Sequence, residues 1–77
     1  MNPKAIRKLA GMIFNATLEH NEQMLNYISQ QSSDIIREAM RFLTFAVQPD
    51  TEHTIEDPRA PIMPIILKEL AQHHIEY

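Results

Sequence analysis

The 77-residue chain contains no cysteine. That excludes disulfides, thiolate metal sites and cysteine nucleophiles together, and it fits a cytoplasmic protein. Glycine is nearly missing, with Gly11 as its single occurrence. Asn-Gly and Asp-Gly hairpin turns are therefore absent, and a glycine-rich loop that cradles phosphate cannot be built. Long apolar runs are missing too. The longest uncharged stretch near the start, "LAGMIFNATL", has 10 residues, against the roughly 20 a membrane-spanning helix needs. Lys4, Arg7 and Lys8 precede that stretch, but Asn15 and Thr17 interrupt it, which makes a poor secretory leader.

What remains is rich in Leu, Ile, Met, Ala, Glu and Gln, a helix-forming mixture. A chain this short buries only about 60% of its unfolded surface, so its core is marginal. With no cysteine to staple it, oligomerisation or very regular helix packing must supply the rest.

Asn2-Pro3 opens a helix, with Asn as cap and Pro at the first helical position. Ile6, Leu9, Ile13, Ala16 and His20 then recur every three or four residues, and Met12 and Phe14 widen the stripe. The pattern runs on through Met24, Leu25 and Ile28, so we expect one long helix over about residues 3–30, with a kink or break near 20–22. Ser32, Ser33 and Asp34 signal a second start, and Pro49 a stop, giving a second helix over about 34–47. Residues 48–61, "QPDTEHTIEDPRAP", read as an acidic, proline-containing linker. A third helix starts around Met63-Pro64 and continues to the C-terminus through Ile66, Leu67, Leu70 and Ile75. The fold expected is a single all-α domain over 1–77, a small three-helix protomer with a long first helix, the apolar second helix at its centre and a C-terminal third helix.

The second helix carries too much apolar surface. At about 100° per residue, Ile35, Ile36, Ala39, Met40, Phe42, Leu43, Phe45, Ala46 and Val47 span roughly 220°, against a stripe somewhat over 100° on an ordinary surface helix. Such a helix must lie centrally in its own chain or bury one side against another. A second copy of the chain is the simplest cover. Burying roughly 400 Å² more apolar surface per chain would contribute on the order of 10 kcal/mol before association costs. We therefore expect a homodimer, with Met40, Phe42, Phe45 and Val47 at the interface.

Charge is distributed unevenly. Residues 1–18 carry +3 and no acid, whereas residues 19–77 carry −6. Lys4, Arg7 and Lys8 stand at i, i+3 and i+4 near a helix N-terminus, where cations oppose the macrodipole by about 0.3–1 kcal/mol each. That placement suits an anionic partner. Asp50, Glu52, Glu56 and Asp57 make the linker a second, acidic handle. The acidic overall balance disfavours nucleic acid.

Catalytic groupings are absent from the pattern. Glu69 and His73 are four apart and could touch one ion, but no H-E-x-x-H motif accompanies them, and packed or surface histidines are the expected reading. Ser29, Ser32, Ser33 and Thr44 have no spacing that ties them to His20, His53, His73 or His74. No cofactor fingerprint is present, and no enzymatic activity is expected. The function expected is non-enzymatic: binding another macromolecule as an inhibitor or adaptor.

One stretch carries a family likeness. "REAMRFLTFAVQP", residues 37–49, resembles the final helix of the small phage-encoded proteins that sequester cyclic oligonucleotides of bacterial immunity. The likeness covers 13 of 77 residues, in apolar spacing and a closing proline, and no ligand-binding position carries over. It implies an alternative function, a sequestrant or regulator holding a small anion such as a nucleotide at a subunit junction, with Lys4, Arg7, Lys8 or Arg41 supplying charge. A DNA-binding regulator ranks below both.

Overall fold

The structure, a computed structural model, describes residues 2–46 and 62–77. Among them are four helices and no strand: α1 (Pro3–Glu19), α2 (Glu22–Ser29), α3 (Ser33–Ala46) and α4 (Ile62–Gln72). None is long and apolar enough to cross a membrane. The all-α expectation holds, and the helix count rises from three to four. The expected linker 48–61, with Asp50, Glu52, Glu56 and Asp57, lies outside the described residues, as does Val47.

The extra helix arises because the chain breaks at His20-Asn21. His20 adopts the left-handed conformation (φ 53°, ψ 40°) and its N–H donates to the Ala16 carbonyl. Asn21 N–H reaches the same carbonyl at 2.9 Å, which closes α1 as a glycine cap would. The Asn21 side chain then accepts from Met24 N–H at 3.2 Å and starts α2. Asn2 caps α1 in the same way, accepting from Lys4 N–H at 2.9 Å, and Ser32 Oγ accepts from Ile35 N–H at 3.4 Å ahead of α3.

The fourth helix also stops short of the chain's end. His74 is left-handed as well (φ 56°). Ile75 N–H donates back to the Leu70 carbonyl at 2.9 Å, and this return places the Ile75 side chain in the core. With one glycine in the chain, histidine takes the left-handed position at both helix ends.

The central element is α1, not the second apolar helix. It packs against α2, α3 and α4, whereas those three meet one another only marginally. Its composition explains this. On α1 the apolar arc from Met12 through Leu9, Ile13 and Ala10 to Phe14 and Leu18 covers roughly 240°, and small Ala10 and Ala16 let neighbours approach closely. Ile13, Ala16 and Thr17 are fully buried. The Thr17 hydroxyl donates to the Ile13 carbonyl at 2.7 Å, so its burial leaves no polar atom unsatisfied. Leu25 and Ile28 from α2, Ile36, Ala39, Met40 and Leu43 from α3, and Ile66 and Leu70 from α4 complete the core.

Candidate functional site

The α3 helix buries a narrow stripe, Ile36, Ala39, Met40 and Leu43, at the spacing of an ordinary amphipathic helix. Of the other described residues of its apolar arc, Ile35 is partly buried against the core, while Phe42, Phe45 and Ala46 are exposed. Phe45 is 76% exposed and Phe42 39% exposed. Met40, expected at an interface, is only 4% exposed and packs into its own chain.

Two grooves flank Phe45. One, of about 490 Å³, lies between the start of α1 and the end of α3, and Pro3, Ile6, Arg7, Glu38, Arg41, Phe42 and Phe45 contribute to it. The other, of about 710 Å³, lies between α3 and α4; Arg37, Arg41, Phe45, Met63, Leu67 and Tyr77 line it, over Met40. Arg41 and Phe45 belong to both. Arg37 and Arg41 each hold one acid on their own helix: Asp34 at 3.3 Å and Glu38 at 3.3 Å. These i,i+3 pairs are exposed to solvent, and such pairs contribute little.

Within the basic cluster, Arg7 and Lys8 line different clefts. Arg7 turns toward α3 and joins Phe42 and Phe45 in the first groove. Lys8 lies on the other side of α1, in a cleft with Met12, Tyr27 and Ile35. Lys4, also exposed, lines neither. Three and four residues of spacing keep side chains adjacent, but Arg7 and Lys8 themselves diverge by about 100°. The structure thus joins one anion candidate to the apolar interface candidates, a conjunction the linear pattern did not show.

A second cluster has a different character. Glu69 is 9% exposed, the one buried acid among the described residues. Its Oε1 lies 2.9 Å from His20 Nδ1, and its Oε2 lies 3.7 Å from His73 Nε2. Sequence reasoning paired Glu69 with His73 from their spacing; His20 comes from the α1–α2 corner and could not be read that way. Among the described residues no group of three or more His, Asp or Glu side chains is arranged to hold a metal ion. The cluster is a fastening between α4 and the left-handed corner.

Three of the four hydroxyls considered as nucleophiles, those of Ser29, Ser32 and Thr44, are engaged locally. Ser29 Oγ donates to the Asn26 carbonyl at 2.6 Å and Thr44 Oγ1 to the Met40 carbonyl at 2.8 Å, while Ser32 serves as a cap. None of these contacts involves a histidine. No family model matches the chain, and neither does any curated protein or solved structure.

Proposed function

We propose that this chain is a non-enzymatic interaction protein that acts by covering a surface on another macromolecule, and that the Phe42/Phe45 face of α3 takes a second copy of the chain. The observation that carries the reading is the large outward phenylalanine at 76% exposure with a groove on either side. An aromatic side chain can bury about 200 Å², so Phe42 and Phe45 together expose roughly 230 Å² per chain. Covering both on two chains would contribute on the order of 11 kcal/mol, comparable with the cost of association. The groove walls beside them are needed to tip the balance.

Charge favours a second copy as the occupant. Asp34, Glu38, Arg41 and Phe45 follow one another along the outward side of α3 at helical spacing. That stripe is self-complementary in an antiparallel pairing, where Glu38 of each copy can meet Arg41 of the other. A two-fold interface repeats each such contact. Light scattering over a wide concentration range tests the reading. The expected mass is twice the 9.0 kDa of one chain, falling to one chain in Phe45→Glu. Glu38→Arg should weaken the dimer, and adding Arg41→Glu should restore it. A wild-type mass of one chain at every concentration would refute the pairing.

The alternative, sequestration of a small anion, is supported by the shared placement of Arg7 and Arg41 in the groove beside Phe42, where Glu38, paired with Arg41, is the one opposing charge. Thermal stabilisation by a nucleotide that disappears in Arg7→Ala is its signature.

A further inference from the structure

From the α3–α4 groove we infer a binding site for a single long-chain carboxylate, taken from solution as the free monomer. This goes beyond the pairing of two copies and does not depend on it. The groove's volume of about 710 Å³ falls within the roughly 300–1,000 Å³ typical of small-molecule sites. Its floor is Met40, and Met63 and Leu67 continue the apolar surface up α4. Methionine side chains adapt to an unbranched chain better than branched ones do. Phe45 and Tyr77 flank this surface.

The polar groups are few. Thr44 also lines the groove, but its hydroxyl already donates to the Met40 carbonyl. That leaves the Tyr77 hydroxyl and, as the only charged side chains lining the groove, the guanidinium groups of Arg37 and Arg41, one turn apart on the same helix and close enough for both to reach one head group. Each is held by a single nitrogen at 3.3 Å from its acid, and a guanidinium has five N–H donors. Neither Asp34 nor Glu38 lines this groove. A base or sugar would find almost no donor or acceptor pattern here, whereas an apolar chain with one anionic end matches both the surface and its charge.

Calorimetric titration of the intact chain with dodecanoate and with 1-dodecanol, both below their aggregation concentrations, tests the site. Dodecanoate should bind at least tenfold more tightly. In Arg37→Gln/Arg41→Gln that preference should collapse to near unity, with helicity unchanged because both side chains are exposed. Leu67→Glu should weaken both ligands. The same samples are weighed by light scattering, so failure of the dimer and failure of the site are read separately. Equal affinity for acid and alcohol overturns the inference. So does the absence of binding to monomeric dodecanoate, or binding confined to phosphatidylglycerol vesicles.

Discussion

Replacing His20 by glycine and by alanine separates two effects at the α1–α2 corner. His20 holds a left-handed backbone, φ 53° and ψ 40°, which costs a residue with a Cβ about 1–2 kcal/mol. Its Nδ1 also lies 2.9 Å from the buried Glu69 carboxylate, within reach of a hydrogen bond. A hydrogen bond to a charged group contributes about 1.5–3 kcal/mol. The His20 side chain is 69% exposed, so solvent screening brings that to roughly 1 kcal/mol. Alanine loses the bond and keeps the backbone cost, so it should destabilise by about 1 kcal/mol. Glycine loses the same bond but sheds the left-handed penalty, less the entropy of a more mobile unfolded chain, and should come out near wild type. The expected gap between the two variants is therefore about 1 kcal/mol, or about 4–8 °C in Tm for a domain of this size. Urea and thermal unfolding followed by circular dichroism measure it. The gap should persist in a Glu69→Gln background, since it comes from the backbone alone. Alanine and glycine variants of equal stability would refute the left-handed corner as a source of strain.

Two further outcomes follow from packing. Gly11 is exposed on α1, and a Cβ there would meet nothing within 4 Å, so Gly11→Ala should stabilise by about 0.5–1 kcal/mol in the same unfolding experiment. Ile13 is fully buried where α1 meets its neighbours. Ile13→Ala should cost about 2–5 kcal/mol, seen as a large fall in the urea midpoint or as loss of the cooperative transition.

The local signals at Asn2-Pro3, Ser32 and Pro64 told where helices start, because each acts through hydrogen bonds or φ restrictions within one turn. The break at His20 falls where a kink or break was expected, near residues 20–22, but its depth, enough to make two helices, was harder to see. Apolar spacing continues across it, and the left-handed residue there is a histidine rather than glycine or asparagine. Asn21 followed by Glu22 was the signal, a cap with an acid in the first turn. The identity of the central helix was misjudged for a related reason. On α3, Phe42 and Phe45 count as apolar positions in a wheel although no neighbour covers them to the extent it covers Leu43. On α1, by contrast, alanines add little to a hydrophobicity count while allowing three neighbours to approach. The grooves beside Phe45 need α1, α3 and α4 in place, so only the identities of their apolar and arginine side chains were legible beforehand.

That α2, α3 and α4 each dock on α1 while barely touching one another gives the molecule the plan of a hub with three spokes. Damage to one spoke should leave the docking sites of the other two largely intact, whereas damage to the hub reaches all three. The hub also precedes all three spokes along the chain, so during synthesis each of those helices emerges to find its template already made. No spoke has to wait for another, and the order in which they dock is set by their own encounters with Pro3–Glu19.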